Sequence, residues 1–198
     1  MNIADVAEIR QGMALAGRAA GARPGDWPLR VVESSDVVDD RVSLQGLREI
    51  EVLRDGRSEA HLLRPFDILV TARSQAIKVA LVPPEVSRTV ASSTLLVVRT
   101  PDPGSGLSHY LWYYLTSTRG RAEMASRLTA TALPTLSAKA LGDVPTAIPP
   151  LAELRRLVDV IETSEATHAA AFEAARIRHH VLRDAIIAAV AAQAGERN

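Results

Sequence analysis

Apolar residues along this chain follow two regimes, and the change between them falls at Pro149-Pro150. Before the prolines, apolar residues come in short runs bounded by turn signals, the pattern of strands. Residues 27–32 (Trp-Pro-Leu-Arg-Val-Val) predict a strand. Pro28, which has no N–H to donate, places it at a sheet edge or at the strand's start. Ser34-Ser35-Asp36 reads as a turn, and the mixed pattern of 37–53 supports no assignment. Three clearer strands follow at 67–72, 78–82 and 94–99, each closed by polar or proline-rich residues. Their continuous apolar runs predict strands buried on both faces. Ser108 reads as the N-cap of an aromatic-rich helix over 110–128, and 137–141 as one more helical turn. At the start, residues 3–11 form a short helical or extended piece. A small, flexible Gly/Ala/Arg stretch follows and ends at Pro24-Gly25.

After the prolines the period becomes helical. Residues 151–193 contain neither proline nor glycine, and at 1.5 Å per residue they make an arm of roughly 60 Å. Pro150 is tolerated there because the first turn of a helix needs no N–H. Alternating steps of four and three pick out Leu154, Val158, Ile161, Glu165, His168, Phe172, Ala175, His179, Leu182, Ile186, Ala189 and Gln193, of which eight of twelve are apolar. A stripe of this kind wants a partner helix. His168 and His179 stand where apolar residues are expected, so they cost stability and are candidates for fixing register and partner. The competing reading is a helix folded back on its own body, or broken near Thr163-Ser164. The expected fold is thus an α/β (α+β) domain with a small mixed sheet over residues 1–147, one long coiled-coil-type helix over 148–193, and a disordered tail at 194–198.

Composition narrows the function. The chain has 198 residues and is 47% hydrophobic, enough for a core. It has no cysteine, which excludes disulfides, thiolate metal sites and cysteine nucleophiles. No signal-peptide pattern or membrane-length apolar run is seen, so a cytoplasmic protein without a membrane partner is expected. Net charge is zero, which taken alone argues against a generic nucleic-acid binder. The distribution is less even: residues 26–63 carry nine acids against five arginines, while 64–140 are net basic. Arginine supplies 21 of the 23 basic residues, Lys78 and Lys139 being the only lysines. Guanidinium suits planar contacts to phosphate and guanine.

Motifs of catalysis are missing. There is no phosphate-binding Gly-x-x-x-x-Gly-Lys loop, no Gly-x-Ser-x-Gly elbow and no Asp/Glu-x-Lys nuclease core. None of the five histidines, His61, His109, His168, His179 and His180, has metal-ligand spacing. The predicted site is therefore a binding site, with no catalytic residue, metal or cofactor. Arg73, Ser74 and Gln75, followed by Lys78, lie between two clear strands and carry the groups that read base edges and phosphates. A second candidate is Arg127, Thr129 and Thr131, where the chain leaves the aromatic helix; Arg119 and Arg121 lie earlier on that helix.

In order along nearly the whole chain, these features resemble the specificity subunit of type I restriction–modification systems. Leu63-Arg64-Pro65-Phe66-Asp67-Ile68-Leu69-Val70-Thr71-Ala72-Arg73 is similar to that family's "GDIL…R" strand and loop, with Pro65-Phe66 in place of the glycine. Lys78-Val79-Ala80-Leu81-Val82 and residues 91–99 resemble its next strands, and Tyr110-Leu111-Trp112-Tyr113-Tyr114-Leu115 its aromatic helix. Leu136-Ser137 through Leu141, then Ile148-Pro149-Pro150-Leu151-Ala152-Glu153-Leu154, resemble its closing turn and hinge, with Leu154 replacing the usual Gln. Asp5-Val6-Ala7-Glu8-Ile9 resembles the start of the unit.

The resemblance implies a target recognition domain that reads half of a split site in double-stranded DNA. It implies an assembly helix (Leu154, Val158, Ile161, His168, Phe172, His179, Leu182, Ile186) that engages a DNA methyltransferase subunit. S-adenosylmethionine would be bound by that partner, and a restriction/translocase subunit could join. The family has two such units where this chain has one, so a homodimer through the arm is expected, serving phage defence. The alternative is a protein–protein adaptor that kept the scaffold and lost DNA reading.

Overall fold

The computed structural model describes residues 1–15, 27–73 and 76–195, with side chains of the last helix followed to residue 189. Two compact units are formed, Met1–Leu157 and Val158–Asn198. The predicted Gly/Ala/Arg stretch lies from residue 16 outside the described residues, as do Ser74 and Gln75.

In the first unit, a six-stranded sheet runs in the order β1 (Glu8–Gln11), β9 (Leu95–Arg99), β6 (Ile68–Thr71), β7 (Val79–Leu81), β4 (Arg41–Val42), β3 (Val37–Val38). All neighbours are antiparallel except β7 and β4. A three-stranded sheet has β2 (Trp27–Val32) between antiparallel β5 (Arg48–Val52) and parallel β8 (Thr89–Ala91). Both sheets are mixed, as expected. The core strands are those with unbroken apolar runs. Every residue of β6 is buried, as are the first four of β9. Leu69, Val97 and Leu95 pack with Val32, Val37, Leu63, Ala80 and Val82 in one cluster. A second cluster joins Met13, Leu29, Val31, Val52 and Val90. Truncating a buried leucine such as Leu69 to Ala should cost about 2–5 kcal/mol.

One sequence expectation is met and another needs correction. Of the two places open to Pro28, the structure takes the strand's start, since β2 is central in its sheet. Pro28 pairs only with Glu51 of β5, because pairing with β8 begins at Arg30; the strand's start is the tolerant place. The aromatic stretch is not one helix from Ser108 but two, α2 (Leu107–Thr116) and α3 (Thr118–Ala125). Gly106, at φ 84°, precedes α2, while Ser108 is buried with its hydroxyl 2.7 Å from that of Thr100. Ser117 takes an extended backbone and caps α3 by accepting from Gly120 N. A Cβ on Gly120 would lie 2.1 Å from the Tyr114 carbonyl oxygen, so only glycine permits so tight a corner.

The short helix α1 (Gly56–Ala60) is capped by Asp55, and α4 (Ala138–Gly142), the predicted turn, by Ser137. The start of the chain pairs with the segment before the prolines, through Ile3 N to Val144 O and Thr146 N to Met1 O. Tyr110 and Tyr114 of α2 donate hydroxyl hydrogen bonds to the carbonyls of Ala147 (2.5 Å) and Pro145 (2.7 Å). The aromatic helix thus pins the chain immediately ahead of the hinge.

The last helix, α5, runs from Leu151 to Gly195. Its first turn is nucleated by the Pro150 carbonyl, which accepts from Glu153 N and Leu154 N. Leu154 and Ile161 are buried, Val158 and Glu165 half-buried. From His168 onward the stripe is exposed: Phe172 at 61%, Leu182 at 63% and Ile186 at 61%, with His179 among them. Among the described residues no helix is long and apolar enough to cross a membrane.

Candidate nucleic-acid interface

Strand β6 organises the first unit because its two ends do different things. At its beginning, Phe66 takes φ 64°, the left-handed region in which glycine is at ease and a β-carbon is not. This is where the resembled motif carries glycine. The turn aims Asp67 inward, where its buried carboxylate accepts from Arg99 Nε (2.8 Å), Arg99 Nη2 (2.6 Å) and the Arg64 amide (2.8 Å). The Asp67 hydrogen bond holds the Arg99 guanidinium above the ordinary arginine range. Arg10 is close by, bonded to His61 Nδ1 and the Leu62 carbonyl. Burial, then the Arg99 charge, pushes its pKa below the ordinary value. This end is an internal anchor.

At its other end β6 delivers Arg73 to the surface. The Thr71 amide donates to the Lys78 carbonyl, and the Thr71 hydroxyl accepts from the Lys78 amide, both at 3.0 Å. Ala72 donates to Thr94 O and accepts from Leu136 N, both at 2.8 Å, and Arg73 bridges to Thr135. Arg73 is thereby brought beside the segment containing Thr129 and Thr131, more than fifty residues away in sequence.

The predicted residues differ in how they are held. Arg73, Thr129 and Thr131 are exposed. Ser74 and Gln75 are outside the described residues. Lys78 is half-buried and donates to the Ser34 carbonyl (3.2 Å). Arg127 donates to Glu123 Oε2 (2.8 Å), to the Glu123 carbonyl (2.7 Å) and to the Asp143 carbonyl (3.3 Å). Arg121 is an internal clamp, with Nη2 at 2.5 and 2.6 Å from the Asp40 carboxylate oxygens, Nη1 on the Ile77 carbonyl and Nε on the Thr116 carbonyl. Arg119 remains exposed.

Sequence reasoning missed Asp40 and residues 132–135. Asp39 and Asp40, at φ 48° and 58°, form the two-residue turn between β3 and β4. Val-Val-Asp-Asp-Arg-Val is a legible signal for such a hairpin. Residues 132–135 carry no group that announces chemistry, and only the fold places them beside Arg73. Among the described residues no cluster of three or more His, Cys, Asp or Glu could hold a metal ion.

Comparison with protein-family models gives no match, and no curated protein matches. Solved structures do. A chain from a structure of the type I restriction–modification system, described for its complex assembly and conformational transition, is 19% identical over 86% of this chain and 38% of its own, with a TM-score of 0.56. The HsdS subunit from Thermoanaerobacter tengcongensis is 18% identical over 86% of this chain and 37% of its own (TM-score 0.47). The type I S subunit from M. genitalium is 9% identical over 72% and 32% (TM-score 0.42). At a TM-score of 0.56 the first of these shows a shared fold, a mixed-sheet body followed by one long helix, over 86% of this chain. The chain spans less than two fifths of the length of these three solved chains.

Proposed function

We propose that this chain is the sequence-specific DNA-binding unit of a type I restriction–modification type defence system. It reads one half-site of double-stranded DNA and recruits a partner DNA methyltransferase. The observation that carries the reading is the bridge between Arg73 and Thr135, which joins two separately predicted contact segments into one exposed patch. An exposed arginine is suited to a base edge in the major groove.

The unit performs no chemistry of its own. Methyl transfer from S-adenosylmethionine belongs to the partner, and a restriction or translocase subunit is a further expected component. The exposed stripe Phe172, Leu182 and Ile186 on α5 supports assembly with another helix. Pairing with a second copy would present two recognition bodies to a two-fold, interrupted site. The setting is cytoplasmic.

A second reading, a protein–protein adaptor, draws support from the zero net charge and from the internal partners of Lys78 and Arg127. Methylome sequencing of the host with and without the gene separates the two. A DNA-reading unit predicts that one interrupted motif loses methylation when the gene is removed. An unchanged methylome favours the adaptor.

A further inference from the structure

The loop beside Arg73 has a chemistry of its own. Residues 129–135, Thr-Ala-Thr-Ala-Leu-Pro-Thr, contain no charged side chain. The loop closes on itself through Thr129 N to Thr135 O (3.1 Å) and Thr135 N to Thr129 Oγ1 (3.0 Å). Each threonine has one hydroxyl hydrogen to give. That of Thr131 goes to the Leu133 carbonyl at 2.8 Å, and that of Thr135 to the same carbonyl at 3.3 Å. The 3.2 Å contact between the Thr129 and Thr131 hydroxyls is then donated by Thr129. All three hydroxyl hydrogens are spent inside the loop, so these side chains donate none to a base.

The exposed side chains of the loop all carry methyl groups. Thr129, Ala130, Thr131, Ala132 and Leu133 are all exposed, Leu133 at 52%. The internal hydrogen bonds and Pro134 restrain the loop's backbone. Apolar contact from alanine and threonine methyl groups is the chemistry that recognises the C5-methyl of thymine in the major groove. We propose that the 129–135 loop is a thymine-methyl reader. This rests on the DNA-reading function above and specifies which feature of the base the loop senses. Arg73, next to it, supplies the polar contact the loop lacks.

The test uses the full chain and duplexes it selects from a randomised double-stranded pool, each resynthesised with deoxyuridine in place of thymine. That exchange removes only the methyl group. The expected loss is about fourfold in affinity per thymine contacted. Thr131→Ser keeps the hydroxyl network and deletes one methyl, so it should narrow the thymine-to-deoxyuridine ratio. Leu133→Ala should do the same. Equal binding of thymine and deoxyuridine duplexes overturns the thymine reader and leaves DNA reading intact. Failure to enrich any duplex over the random pool overturns both.

Discussion

Arg121 grips Asp40 across 81 residues of sequence, its Nη2 lying 2.5 and 2.6 Å from the two carboxylate oxygens. The same guanidinium holds the Ile77 carbonyl at 2.9 Å, ahead of Lys78. One side chain on α3 thus ties the β3–β4 turn to the backbone at Ile77. In sequence Arg121 looks like any other arginine on a basic helix.

Arg121→Ala and Asp40→Ala should each lower unfolding free energy by about 1–2 kcal/mol, the pair being partly exposed. A double-mutant cycle measured by denaturant unfolding should return a coupling of about 1 kcal/mol. Additive losses would show that the two groups do not act together.

The strained turn at Phe66 gives a second test. Phe66→Gly and Phe66→Ala both remove the ring that lies 4.8 Å, centroid to centroid, from His109. They differ in what a β-carbon costs at φ 64°. The glycine variant should be the more stable of the two by about 1 kcal/mol, because the left-handed backbone disfavours alanine. Thermal unfolding of the two variants side by side reads the sign.

The Asp67–Arg99 pair predicts a larger effect. Their side chains are only 2% and 12% exposed, so Arg99→Ala leaves a buried carboxylate without its charge partner, at a cost of about 3–5 kcal/mol. Adding Asp67→Asn to that variant removes the charge and should recover part of the loss. Chemical denaturation of the single and double variants checks the order.

On α5, Leu182→Glu with Ile186→Glu should abolish self-association, read by sedimentation, and leave the body's unfolding unchanged. Replacing His168 and His179 with leucine should do the opposite, raising the stability of the paired arm while relaxing its choice of partner. Unchanged stability and pairing would mean that both histidines are simply exposed.

What the sequence revealed depended on how local the cause was. β2 was legible to the residue, and β6, β7 and β9 to within one, because apolar runs between prolines and polar turns leave no other choice. β3, β4 and β5 were not: two of them have two residues, and β5 exposes Arg48, Glu49 and Glu51. The break at Ser117 was hidden because serine both continues and caps helices; Gly120 was the available clue. Within the candidate site, residue type named Arg73, Thr129 and Thr131, but not who holds whom. Lys78 and Arg127 look alike in sequence whether solvated or tied to Ser34 and Glu123. Only the fold, by laying 129–136 beside β6, joins the two segments.

The most direct test of the account is the affinity of wild-type and Arg73→Ala protein for a selected duplex and for random duplex, across a salt series. A DNA-reading unit predicts wild-type affinity that falls steeply with salt. It also predicts a loss of about 1–3 kcal/mol for Arg73→Ala on the selected duplex with little change on random DNA. Equal binding of both proteins to both duplexes would contradict it.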